Sequence, residues 1–207
     1  MKKMIPIALG LIMFASCNKV KSVQEKISEV KTQAEEVTAT VKNAKVLAEQ
    51  SGNIEDEITR LSELEPISNE KLKSWLPTEI GDFNRTSFKI GELKMAGISS
   101  IEAGFSNEEQ TQNFTLQVVD GAGGGVMYLT GLKMGFQMDM EEESERDFRR
   151  TVEKNGHKAM EEARKDGSSS KIQFIHDDRF FIEIKGNQMD LDALWKIVEQ
   201  LKLDQLP

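Results

Sequence analysis

The chain has 207 residues, 30% of them charged, and a formal net charge of −8 at pH 7. Proteins that bind nucleic acid through its phosphates carry clusters of Lys and Arg. Because the sequence contains no such cluster, nucleic acid is not expected as a partner. The single cysteine excludes an internal disulfide framework and a zinc site built on several cysteines.

The first sixteen residues have the pattern of a secretion signal. Lys2 and Lys3 precede an apolar run that ends at Ala15, and this run is shorter than the about 20 apolar residues that a membrane-spanning helix needs. Small residues then stand directly before Cys17, as signal peptidases require. Two interpretations fit: a lipoprotein signal, which we favour, or an ordinary secretion signal followed by a chance cysteine.

The segment Phe14-Ala15-Ser16-Cys17 resembles the lipobox of bacterial lipoproteins, in which the cysteine thiol receives a diacylglycerol and the signal is removed. The resemblance implies a signal peptide at residues 1–16, lipidation at Cys17 and a membrane-anchored location in the cell envelope. By resemblance to enterobacterial sorting, Asn18 after the cysteine favours the outer membrane. Two or three acyl chains would anchor the protein stably.

Residues 19–50 contain no Pro or Gly and predict a long helix. Nine apolar positions recur at alternating steps of three and four residues: Val20, Val23, Ile27, Val30, Ala34, Val37, Val41, Ala44 and Ala48. A second short helix is predicted by Ile54, Ile58, Leu61 and Leu64. We therefore predict a lipidated helical stalk over residues 17–71. Its seam at residues 20–48 either contacts a protein partner or a second copy, or packs against the rest of the chain.

Residues 72–207 predict a globular domain with an internal duplication. Residues 82–91 and 147–156 are identical at six of ten positions, at an offset of 65 residues. At the same offset Gly121 matches Gly186, and a helical pattern follows each glycine. The pseudo-repeats would cover about 82–140 and 147–205.

Each repeat predicts strands followed by a helix. Residues 176–179 look like a tight turn between strands at Lys171–Ile175 and Phe180–Ile184. Strands joined by turns pair antiparallel, so the predicted fold class is α+β: a long N-terminal helix, then an antiparallel sheet of six to eight strands with two helices on one face. The helices should bury Val126, Leu129, Phe136, Leu191, Leu194, Trp195, Val198 and Leu201.

Leu76-Pro77, the Phe-x-Arg-Thr run at residues 83–86 and the ending from Gly186 to Leu206 resemble a class of uncharacterised bacterial envelope lipoproteins. The resemblance covers roughly residues 75–207. It implies no activity, cofactor or partner.

A search for catalytic patterns identifies no convincing site. The glycine-rich segment 120–126 stands where a phosphate loop would, but it lacks the remaining glycine or the Gly-Lys-Ser/Thr of the known patterns, which favours a turn. His157 and His176 have no second ligand at metal spacing. The Ser–Lys pairs at Ser168/Lys171 and at residues 28 and 31 match a nucleophile pattern, but we interpret both as chance. We predict no catalytic, cofactor-binding or metal residue and no enzymatic activity.

Four methionines crowd one predicted helix: Met127, Met134, Met138 and Met140. Such a helix can fill a core, form an adaptable partner groove or hold Cu(I), and we favour the core.

Two functions remain open. The first is a non-catalytic lipoprotein that binds another protein or stabilises an assembly. The alternative is a small-molecule or lipid-binding module with a groove between the sheet and the methionine-bearing helix. An apolar cavity at Met134, Phe136 and Met138 would favour the alternative, whereas a solid core would favour the first. A hydrolase would need converging carboxylates or a histidine with a perturbed pKa.

Overall fold

The structure, a computed structural model, describes residues 54–91 and 97–207. The signal segment, Cys17 and the predicted seam at residues 20–48 lie outside this range. Four helices are described: α1 (residues 54–63), α2 (Asn69–Trp75), α3 (Val126–Gln137) and α4 (Leu191–Gln200). The strands are β1 (Glu79–Ile80), β2 (Phe83–Ile90), β3 (Ser100–Asn107), β4 (Asn113–Asp120), β5 (Glu141–Glu143), β6 (Asp147–Lys154), β7 (His157–Arg164), β8 (Ser169–His176) and β9 (Phe180–Asn187). Short 3-10 turns lie at Gly123–Gly125 and Leu203–Gln205.

All nine strands form one antiparallel sheet in the order β1-β2-β3-β4-β9-β8-β7-β6-β5. The central pair, β4 and β9, is in register from Asn113 opposite Asn187 to Asp120 opposite Phe180. The β8–β9 turn contains Asp177 and Asp178 at φ of 50° and 49°. These left-handed conformations fit the tight turn in which the Arg179 N–H donates to the His176 carbonyl, within a three-residue loop between the paired residues His176 and Phe180.

Both faces of the sheet are covered, each by its own core. Leu116 and Ile182 are fully buried on the face that packs against α2 and α4. Their neighbours Val119 and Phe181 are buried on the opposite face, with α1 and α3. Successive strand residues point to opposite faces. The consecutive buried residues of the central strands therefore belong to two different cores.

The predicted fold class is wrong in two respects. The sheet has nine strands, and helices α3 and α4 lie on opposite faces instead of one. Helix α3 follows β4, and helix α4 follows β9. Because these two adjacent strands are antiparallel, the two helices begin at opposite ends of the sheet. The long N-terminal helix of that prediction is not supported, because residues 1–53 lie outside the described range.

The sheet order also rejects the match of Arg85 with Arg150. Arg85 lies on β2, separated from the central pair by one strand, whereas Arg150 lies on β6, separated by two. The two proposed repeats correspond at the offset of 65 residues only near their ends, from the glycine to the helix that follows. A Cβ on Gly121 would meet the side chain of Leu129, and one on Gly186 would meet that of Leu194, again 65 residues on.

Helix α1 packs on the sheet by an apolar stripe. Leu61 is 1% exposed, and Ile58 and Leu64 pack beside it on the core that includes Leu129 and Phe136. This segment therefore belongs to the compact unit of residues 54–207. None of the helices described is long and apolar enough to cross a membrane.

Candidate functional site

Helix α3 buries one side and leaves an apolar side in water. Val126, Leu129 and Phe136 are at most 6% exposed and face the sheet. The exposed fractions of Met127, Met134 and Met138 are 75%, 54% and 62%. The interpretation of these three methionines as core residues is therefore wrong, whereas Met140 does pack against the core.

Two glycines lie on the same exposed side. Among the described residues, nothing stands within 4 Å of where a Cβ of Gly131 or Gly135 would be. Positions 127, 131 and 134 recur at steps of four and three, which places them along one face of the helix, and Met138 follows directly as the extended C-cap residue. We call these four residues together with Gly135 the α3 outer face. It alternates large flexible side chains with hollows.

The outer face itself carries no charge, because Lys133, the one charged residue of α3, points toward α1 and the β8–β9 turn. The ammonium of Lys133 donates to Glu57 of α1 at 2.6 Å and to Asp178 of the β8–β9 turn at 2.7 Å. Burial by itself would lower the pKa of Lys133, but the hydrogen bonds to Asp178 and Glu57 outweigh it and raise the pKa. Lys133 therefore fixes α3 to its neighbours.

The space between α3 and the sheet is filled. Leu129 and Phe136 of α3 are buried there, and the Phe136 ring stacks on that of Phe181 of β9 at 6.4 Å. The gap between α1 and α3, bordered by Ile54 and Lys133, has a volume of about 10 Å³, which is about the space of one water molecule. Phe136 lies in the core between α3 and the sheet. A drug-sized ligand needs a site of about 300–1,000 Å³, so this place does not offer one.

The glycine-rich segment is a packing device. Asp120, fully buried, accepts hydrogen bonds from the backbone N–H of Ile67 at 2.8 Å and of Ala122 at 3.0 Å. A Cβ on Gly125 would approach the backbone oxygen of Asp120 to 2.0 Å. A Cβ on Gly123 would meet Pro66 at 2.7 Å. The amides and glycines therefore serve close chain contacts, as the turn interpretation expects.

A second feature is an open, charged groove of about 600 Å³ on the sheet surface at β6–β9. Four of its residues stand directly opposite one another across these strands: Arg149, Glu162, Lys171 and Lys185. They face the same side of the sheet as α3. No sequence motif marks this row, because its members come from four strands.

The structure brings the two histidines together, which the sequence analysis missed. The His157 and His176 rings are 5.6 Å apart on neighbouring strands, and His157 also packs on Phe174 at 4.4 Å. Burial, and then the proximity of His176, lower the pKa of His157. In the part of the chain that the structure describes, no group of three or more metal-binding side chains occurs.

The predicted Ser–Lys pair in the globular domain does not form a nucleophile site. The Ser168 hydroxyl donates to Asp166 at 2.6 Å, and the Lys171 ammonium pairs with Glu162 at 2.8 Å. Ser28 and Lys31 lie outside the described residues.

Comparison of the chain with protein-family models, with curated proteins and with solved structures finds no match.

Proposed function

We propose that the protein is a non-catalytic lipoprotein of the bacterial cell envelope whose globular domain is a protein-interaction module. In this proposal the α3 outer face is the contact surface, and its occupant is a second copy of the chain. The observation that carries the proposal is a helix face of exposed methionines and open glycines without a charge.

Exposed methionines are costly to a monomer and useful at an interface. Methionine adapts its shape to a partner and often supplies binding surfaces. Contiguous apolar patches of a few hundred Å² on a soluble protein are often functional. Of all residues in the chain, 30% are charged. The α3 outer face differs from this composition, because none of its five residues is charged.

The ends of α3 suit a second copy in antiparallel orientation. The first turn has no acidic residue and no side-chain cap, so the positive end of the helix dipole is not neutralised within the helix. At the C-terminal end Lys158 donates to the Gln137 carbonyl at 3.1 Å and to Asp139 at 2.8 Å. Asp139, which follows the helix, is 94% exposed. Antiparallel packing places each N-terminus beside the partner's C-terminus and Asp139, which is the favourable arrangement of charges. The methionines of one copy would enter the glycine hollows of the other.

In this proposal the lipid anchor brings two copies close together on one membrane. The five residues of the outer face are far fewer than the about 20–30 residues per partner of a stable interface, so two copies should associate weakly in dilute solution. Anchoring on one membrane through Cys17 would raise their effective concentration. The filled space under α3 supports this function over the small-molecule alternative.

The anchor is tested by replacing Cys17 with Ser. No other thiol can receive a diacylglycerol, so the variant should lose its partition into the detergent phase, whereas the native chain should partition fully. A variant that is cleaved and still partitions with detergent contradicts the lipoprotein proposal.

The contact is tested by cysteine crosslinking in intact membranes. Because Cys17 would carry lipid, a Met134→Cys variant has one free thiol, on the outer face. Mild oxidation should produce a disulfide-linked dimer, whereas Glu109→Cys, on the exposed β3–β4 turn, should stay monomeric. Adding Gly131→Glu to Met134→Cys should abolish the dimer. Equal crosslinking from both positions, or none from position 134, rejects the second copy as occupant.

A further inference from the structure

We propose that the groove across β6–β9 binds a phosphate monoester group between Lys171 and Lys185. This inference is independent of the α3 contact, and it rests on the row of charges that the sheet register assembles.

The row contains one carboxylate for three cations. Glu162 accepts from Arg149 at 3.1 Å and from Lys171 at 2.8 Å. Lys185 is exposed and has no ion pair within the described residues. Glu142 on β5 continues this row directly opposite Arg149, so the five side chains together carry a net charge of +1 in a chain whose net charge is −8.

Lys171 and Lys185 stand directly opposite each other on β8 and β9. Like charges at directly opposed positions destabilise a sheet. Side chains so paired have Cβ atoms about 5 Å apart, which lets both ammonium groups contact one anion. Binding of an anion would convert this unfavourable pair into a favourable one.

The other acidic residues of the groove lie at its far end. Glu142 on β5 is four strands from Lys185, and Asp147 on β6 is three strands away. At about 4.8 Å per strand these separations are roughly 19 and 14 Å. On β9 itself, Glu183 accepts a hydrogen bond from Gln173. Glu183 is two residues before Lys185 on the same face of β9 but does not line the groove. Within the groove the two opposed lysines therefore form its cationic end.

The charge and shape of this end fit a phosphate monoester. Such a group carries about −1.5 to −2 charges at pH 7, which matches the two opposed ammonium groups of Lys171 and Lys185, whereas a carboxylate would match only one of them. The groove is open, and Ser169 and Ser170 line it beside Lys171, so the phosphate can belong to a larger molecule. Its source is either a soluble phosphate ester or the headgroup of a lipid.

The test is the thermal unfolding midpoint of the full chain in mild detergent. Inorganic phosphate should raise the midpoint of the native chain progressively with concentration, because a ligand that binds only the folded state stabilises it. Sodium chloride at equal ionic strength should not. Phosphatidic acid in the detergent micelles forms a second arm. A rise in that arm alone identifies a headgroup site, and a rise with inorganic phosphate identifies a site open to soluble esters.

Lys185→Gln is the deciding variant. Without phosphate its midpoint should equal or exceed that of the native chain, because the like-charge pair is relieved, so a failure to fold is recognised at once. Its affinity for phosphate should fall by about tenfold or more, as expected for loss of a charged hydrogen bond. Lys196→Gln, exposed on α4 across the sheet, is the matched control and should behave like the native chain. No rise in either arm, or an unchanged rise in Lys185→Gln, overturns the proposal.

Discussion

Asp120 is the carboxylate whose removal should destabilise the domain most clearly. It is fully buried, and its two oxygens accept from Arg179 Nε at 2.8 Å and Nη2 at 2.9 Å. They also accept the backbone N–H groups of Ile67 and Ala122. One side chain thus joins the end of β4, the β8–β9 turn, the segment after α1 and the entry to α3.

Replacing Asp120 with Ala leaves three groups without their partner. The Arg179 side chain is 18% exposed. Its hydrogen bonds to Asp120 raise its pKa in the native chain, and without them the guanidinium still stays charged, because an arginine does not deprotonate in proteins. Removing one partner of a buried ion pair costs about 3–5 kcal/mol. A domain has a total stability of about 5–15 kcal/mol, so the variant should lose roughly a fifth or more of it.

Urea unfolding of the full chain, followed by tryptophan fluorescence, measures this loss, because Trp75 and Trp195 both lie in the described unit. Asp139→Ala is the matched control, since Asp139 pairs with Lys158 in water and exposed pairs contribute little. A change of less than about 1 kcal/mol in Asp120→Ala would refute the reasoning that this network holds the four segments together.

Three further variants test the packing and the titration of the fold. The pKa of His157 is lowered from 6.5, so the folded state resists its protonation and the stability should fall as the pH drops below about 6.5. In urea unfolding measured across that pH range, His157→Gln should flatten this decline of the midpoint. An equal slope in the variant and the native chain would contradict the argument. A Cβ in Gly121→Ala would lie 2.4 Å from Leu129, so thermal unfolding should show a loss of about 1–3 kcal/mol, and a neutral result would mean that α3 moves freely. Leu61→Ala should cost about 2–5 kcal/mol in urea unfolding, whereas a cost near zero would separate α1 from the domain.

Several local elements were predictable because their signals lie in short stretches of sequence. The run at Phe180–Ile184 falls inside β9, and residues 176–179 form the turn before it. Of the residues expected to be buried on α4, Leu194, Trp195 and Val198 are buried and Leu191 is only partly so. Apolar periodicity and turn chemistry act over a few residues, so tertiary contacts did not override them here.

Two readable signals were missed. Asn155-Gly156, with φ of 53° and 77°, is a strong two-residue hairpin signal, and it creates the β6–β7 pair that shifts the second repeat by one strand. The consecutive apolar residues Phe180-Phe181-Ile182 indicate a strand buried on both faces, which argues against helices on a single face.

The sequence by itself determined the periodicities, the turns and the exposed acidic character of this protein, because each depends on neighbouring residues. Only the tertiary structure decided which face each helix covers, and hence that Met134 is in water while Phe136 is buried. The same holds for the row that ends in Lys171 and Lys185. Its members are separated in sequence and meet through strand register, which long-range pairing sets and no local pattern contains.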